Sequence, residues 1–261
     1  LGIVACVLLI YVTLVFVIAQ ATADNSVMDI AYGPAFFVSL AAAAILTETT
    51  GALPAMVIGA IGLWSLRLSS RIFRKNFGKP EDARYAKWRQ EWEARGHWYF
   101  LLRSYVQINL FQGLIILIVA LPGIIALSSP TPTSPLFLLL GSAVFLFGLG
   151  YETIADWQLD RFIARKKAGE TDEPLMTEGL FAYSRRPNYF GESLVWWGLA
   201  IAVAAQPYGF LAFLSPLLIT YIVTKVTGPM LEVAFLEKYP EEYRAYMEST
   251  NYFLPGAPDR S

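Results

Sequence analysis

The sequence predicts an all-α integral membrane bundle of about seven transmembrane helices, and three observations carry that prediction. The 261 residues are 56% hydrophobic and only 16% charged, well below the quarter expected of a soluble domain. The apolar residues fall in long runs with no period-two alternation. The charges gather between these runs rather than within them.

Each run is near the length of about 20 residues that a helix needs to cross hydrocarbon. They cover roughly 1–20, 30–48, 52–68, 101–127, 136–158, 189–206 and 210–230. Backbone groups in lipid must satisfy one another, which a helix does internally. The first run has no basic flank and no small-residue cleavage site, so it reads as a membrane helix and not a signal peptide. Short polar or Pro/Gly-rich turns separate the runs, among them TADNSVMD, TETTGALP and SSPTPTSP. We read a single membrane domain over 1–261, with 1–135 forming a substrate side and 136–261 a cofactor side.

Positive charge sets the expected orientation. Ten Lys/Arg lie between Arg67 and Arg103 and six between Arg161 and Arg186; the rest are Lys225, Lys238, Arg244 and Arg260. Seven crossings place all of these on one face, which the positive-inside rule makes cytoplasmic, with the N-terminus outside. The segment from Arg67 to Trp98 is rich in charge and aromatics, and is expected to lie along the membrane surface with Trp88, Trp92 and Trp98 at headgroup depth. The net charge of −1 gives no pull toward nucleic acid. One cysteine, Cys6, and one histidine, His97, offer neither a disulfide framework nor a conventional zinc site.

Ionisable groups at helix ends are the candidates for chemistry, because burying charge in a membrane is costly. Glu48 closes the second run behind an apolar flank; burial would keep it neutral and make it a proton donor. Glu152 and Asp156, four apart, share a helix face and offer acceptors to a ribose diol or an amine; Asp160 continues the row. The stretch GLFAYSRRPNYFGESLVWWG, 179–198, is the densest. There Arg185 and Arg186 offer forked donors for phosphate. Pro187 starts a helix, and Asn188 caps it or binds an amide. Tyr183 and Tyr189 add hydroxyls and stacking surface. Glu192 and Trp196 share one face of the entering helix. Thr227–Pro229 breaks the last membrane helix, Glu232 follows one turn on, and the tail reads as an amphipathic helix ending at Pro255 and Gly256, a lid over the inner face or a direct ligand contact.

From Glu152 to Gly256 the chain resembles the C-terminal domain of the steroid 5-alpha-reductase family, and in particular a bacterial membrane branch of it. The resemblance rests on the carboxylate pair, Gly-Leu-Phe-x-Tyr-Ser-Arg-x-Pro-Asn-Tyr-Phe-Gly-Glu, Trp-Trp-Gly, Gly-Pro-x-x-Glu and a Tyr-x-x-Tyr-x-x-x-Thr tail. It implies a bundle in the bacterial inner membrane that takes NADPH from the cytoplasm and a lipophilic substrate from the bilayer, surrounded by membrane lipids. By motif, Asp156, Tyr183, Asn188, Glu192 and Trp196 would be cofactor contacts, with Glu152 where animal reductases have asparagine. Glu48 matches the family's helix-two glutamate, while Thr47 and Trp64 stand where that family has glutamine and tyrosine. On chemistry alone, Arg185 and Arg186, with Arg161 or Arg165, are assigned to the phosphates. The Arg-x-Pro-x-Tyr-x-Gly core is also similar to membrane methyltransferases that use S-adenosylmethionine. A methyltransferase of a lipid or prenylated substrate is therefore the alternative, and a non-catalytic lipid-binding protein a third reading.

Overall fold

A computed structural model describes residues 1–257 except 130, 131 and 133. Arg260, and those three positions of the SSPTPTSP turn, lie outside the described residues. Every regular element among the described residues is helical. Six stretches are long and apolar enough to cross a membrane: Gly2–Ala21, Val27–Leu46, Ala52–Asn76, His97–Val119, Pro135–Lys167 and Gly209–Lys238. The sequence reading had seven. The remaining run forms a helix of 17 residues, Pro187–Val203, at the short end of the roughly 17–25 residues that span hydrocarbon, and it runs back along Pro135–Lys167. Ala204–Tyr208, with Pro207, ends it early.

The chain divides into two compact units, Leu1–Ser134 with Ala205–Leu211, and Pro135–Ala204 with Ala212–Ser261. In the first, α1 (Gly2–Ala21), α2 (Val27–Leu46) and α3 (Ala52–Asn76) pack in sequence. The short helix α4 (Ala83–Glu93) begins at Asp82, whose carboxylate accepts the Arg84 amide at 2.9 Å. It is followed by α5 (His97–Arg103), a π-turn at Ser104–Leu110, α6 (Phe111–Val119) and α7 (Leu121–Ser128). The core is large and aromatic where α2 meets α3: Trp64, 1% exposed, meets Phe36 edge-on with ring centres 5.5 Å apart.

The second unit is built on α8 (Pro135–Lys167) and α9 (Pro187–Val203), joined through a 3-10 turn at Gly179–Ala182. These helices run antiparallel and touch backbone to backbone. A Cβ on Gly198 would fall 2.4 Å from the Phe145 nitrogen, one on Gly148 2.7 Å from the Val195 nitrogen, and one on Gly191 2.6 Å from the Glu152 nitrogen. Small residues at seven-residue spacing make this close seam, the usual device for joining helices in lipid. The unit continues through α10 (Leu214–Tyr221), a π-turn at Ile222–Thr227, α11 (Gly228–Lys238) and α12 (Pro240–Ser249). Thr227–Pro229, expected to break the helix, joins the π-turn to α11 without a break. The tail helix ends at Ser249, earlier than the sequence suggested, and residues 250–257 run on without regular structure.

Candidate functional site

The seam between α8 and α9 is what assembles the site. Because Gly191 has no side chain, the first turns of α9 lie directly on the backbone of Glu152. Glu152 and Asp156 are buried, at 4% and 5% exposure, on the α8 face that the spacing predicted. Across from them Pro187 occupies the first position of α9, where its missing amide hydrogen costs nothing. The helix cap is Arg186; Asn188 sits inside the first turn and does not cap it. Tyr189 and Glu192 are half-buried, and Trp196 is fully buried one turn further on. Arg186 lies 6.0 Å from the Tyr189 ring, and with Glu192 one turn on these groups make the first turns of α9 polar.

The two adjacent arginines have different fates. Arg185, 8% exposed, is committed to the fold: Nε and Nη2 donate to Glu232 Oε1 at 2.9 and 2.7 Å. Its Nη1 donates to the Thr250 and Met247 carbonyls at 2.6 and 3.2 Å. The phosphate role expected of Arg185 is therefore replaced by a structural one, because a carboxylate and two carbonyls already use its donors. Arg186 lies against the rings of Phe235 and Tyr189, at 5.3 and 6.0 Å. Its Nε and Nη2 are buried and meet no hydrogen-bond acceptor among the described residues.

The C-terminal tail holds this arrangement. The Arg185 amide donates to the Asn251 carbonyl at 2.8 Å, and the Gly256 amide to the Tyr183 carbonyl at 2.9 Å. The Ser184 hydroxyl donates to the Phe253 carbonyl at 2.9 Å. Tyr246 donates to the Phe181 carbonyl at 2.6 Å, and Tyr252 to the Val223 carbonyl, within the π-turn, at 2.8 Å. Tyr243 stacks on Phe235 with centres 5.2 Å apart. Burial pushes the hydroxyls of Tyr243, Tyr246 and Tyr252 up, so all three remain protonated near neutrality. Sequence reading flagged the Tyr-x-x-Tyr-x-x-x-Thr pattern without a role for each residue. Nothing in that spacing says that Thr250 contributes its carbonyl, and Tyr246 its hydroxyl, to the Ser-Arg segment.

Arg161 and Arg165 border a groove of about 220 Å³ with Trp157, Phe162, Met176 and Glu178, and Arg161 lies 5.5 Å from the Trp157 ring. Tyr183 is 48% exposed and takes part through its backbone. A second hollow of about 630 Å³, between 173–177 and α12, is lined by none of the expected residues. Glu48 belongs to the other unit. It is exposed in the turn after α2, at φ 51°, not enclosed at a helix end. The helix stops at Leu46, so Glu48 falls two residues beyond it in a left-handed position, and the burial expected of a neutral acid is absent.

The first unit carries a polar cluster that sequence reading missed. Tyr85 donates to Asp29 at 2.6 Å and accepts from Gln112 at 3.4 Å. Arg89 forks onto both oxygens of Glu81, which also accepts the Asn25 amide at 2.7 Å. Burial and the Asp29 charge push the Tyr85 hydroxyl well up, keeping it a donor. Asp29, at the end of TADNSVMD and just ahead of an apolar run, was the available signal. In this setting α4 is anchored to the α1–α2 turn. Trp92 turns inward to 5% exposure while Trp98 remains 82% exposed, so the three tryptophans do not share one depth-setting role.

A family model described as "Protein of unknown function (DUF1295)" matches residues 15–250. The curated Schizosaccharomyces pombe protein titled "Uncharacterized protein C594.04c" is 27% identical over 214 residues, covering 74% of this chain. The chain spans 60% of the length of that relative. No solved structure matches.

Proposed function

The chain belongs to the DUF1295 family, and on that footing we propose that it is an NADPH-dependent membrane reductase, similar to steroid 5-alpha-reductases, acting on an activated C=C bond of a lipophilic substrate. One observation carries the reading: two carboxylates, Glu152 and Asp156, are buried side by side within a membrane helix, against the polar first turns of its neighbour. Ionisable groups kept at such cost mark function in membrane helices. The residues fit the proposed cofactor. Paired carboxylates accept from ribose hydroxyls and amines, Tyr189 offers a ring surface, and Asn188 offers an amide beside them.

Bound there, the nicotinamide would supply the hydride. The protein's share is binding and orientation: Asp156 and Glu152 fix the sugar and amine groups, and Trp196 bounds the inner end of the polar region. Apolar helix surface admits a lipophilic substrate from the bilayer. We place the charged ends in the cytoplasm of a bacterial inner membrane, with the N-terminus outside, because the Lys/Arg residues all fall in segments assigned to that face. The exposed turn at Glu48 gives this reading no enclosed acid, so no step is assigned to that residue.

The test is calorimetric titration of the protein in neutral-lipid nanodiscs with NADPH and with S-adenosylmethionine. NADPH is expected to bind, and Asp156→Asn to weaken it about tenfold, or 1.4 kcal/mol. Binding of S-adenosylmethionine without NADPH would replace the reductase by the methyltransferase alternative. Binding of neither would favour a lipid-binding role.

A further inference from the structure

Two arginines of this protein use a common edge. Arg89 turns Nε and Nη2 onto the two oxygens of Glu81, at 2.8 and 2.9 Å. Arg185 turns the same two atoms onto Glu232. In Arg186 that edge is buried as well, yet no acceptor among the described residues meets it. Its neighbours are already committed: Glu232 takes Arg185, and Tyr243, Tyr246 and Tyr252 donate to Glu232, Phe181 and Val223. A buried charged donor left unmet is expensive, and such groups persist in native proteins where something uses them.

We infer that Arg186 is the receptor for a phosphate group. The side-on Nε/Nη2 edge matches two oxygens of a tetrahedral oxyanion, and the rings of Tyr189 and Phe235 lie against the guanidinium, 6.0 and 5.3 Å from its central carbon. Arg186 is also the N-cap of α9, so the positive end of a 17-residue helix adds to its charge. Two converging positive sources suit a phosphate better than a singly charged carboxylate. The phosphate comes from a nucleotide or from a lipid headgroup; the nucleotide form rests on the reductase reading, and the headgroup form does not. Arg185 is the positioning residue. Its bonds to Glu232, Thr250 and Met247 hold α11 and the tail, and with them Phe235, against Arg186.

The experiment follows the ¹⁵Nε resonance of Arg186, assigned with Arg186→Lys, in phosphate-free maltoside micelles. The probes are NADP⁺, inorganic pyrophosphate, and micelles containing phosphatidylglycerol. A phosphate-bearing probe is expected to shift that resonance. Arg186→Met should weaken the same probe at least about tenfold, with Arg186→Lys, which keeps the charge and loses the fork, in between. The Lys variant decides the matter if the Met variant does not fold. NADP⁺ bound equally by wild type and folded variants would overturn the Arg186 assignment and leave the reductase reading intact. A shift with phosphatidylglycerol alone would support Arg186 as a headgroup receptor and remove the reductase reading. No shift with any probe would overturn the inference.

Discussion

Arg185 and Glu232 are joined by a fork in which Nε and Nη2 of one arginine converge on a single carboxylate oxygen, at 2.9 and 2.7 Å, with the side chains 8% and 18% exposed. Removing one member of a buried pair strands the other. Glu232→Ala is expected to cost about 3 kcal/mol, and limited proteolysis should cut the tail after Ser249 before any other site. The paired change Arg185→Met with Glu232→Met should recover much of the lost thermal stability. A single variant as stable as wild type would show that the clasp does not hold the tail.

The α8–α9 seam predicts a contrast between glycines. Gly198→Ala places a methyl 2.4 Å from the Phe145 nitrogen, which is backbone and cannot swing aside. A loss of about 1–3 kcal/mol is expected, read from thermal unfolding in detergent. Gly150→Ala on the same α8 meets nothing within 4 Å and should be neutral or mildly stabilising. Equal effects at the two sites would argue against close backbone contact.

Acid should loosen α4 first. Burial alone would raise Glu81 and Asp82. Hydrogen bonds from Arg89 and Asn25 to Glu81, and from Arg84 to Asp82, outweigh it and hold both carboxyls below their ordinary values. A folded value below the unfolded one means that the contribution is complete above the ordinary carboxylate range. It is lost as pH falls through the folded values. Amide exchange in α4, corrected for intrinsic rates, should be level down to about pH 5 and rise below about pH 4. Glu81→Gln should raise exchange in α4 at neutral pH and flatten the acid rise.

Glu48 offers a test of its own conformation. At φ 51° a residue with a side chain is strained, and Glu48→Gly should stabilise the α2–α3 turn by up to about 1 kcal/mol. A lower melting temperature would mean that the carboxylate makes contacts that outweigh the strain.

The apolar runs made the helical class legible, and the four-residue spacing of Glu152 and Asp156 gave their shared face, because both signals are local and periodic. What escaped reading depends on partners far along the chain. Neither arginine of the Arg185–Arg186 pair differs from the other in sequence terms; only the fold, by bringing Glu232 and Thr250 to one of them, divides their tasks. Glu48 was misplaced because its depth depends on where α2 stops, and Leu46 and Glu48 differ by two residues, within the uncertainty of any helix end. The Tyr85–Asp29 bond joins positions 56 apart, a distance that no spacing pattern spans.

The π-turn at Ile222–Thr227 fixes a rotational setting. Such a turn is in effect one residue inserted into an α-helix, and each residue advances the chain by about 100° around its axis. Deleting a single residue there, Thr224 for example, would let the helix rewind as continuous α and swing everything after it through roughly a quarter of a circle. Glu232 would then leave the side that Arg185 occupies, with every side chain still present. The phase of one irregular turn, as much as the identity of the acid, decides whether the tail closes.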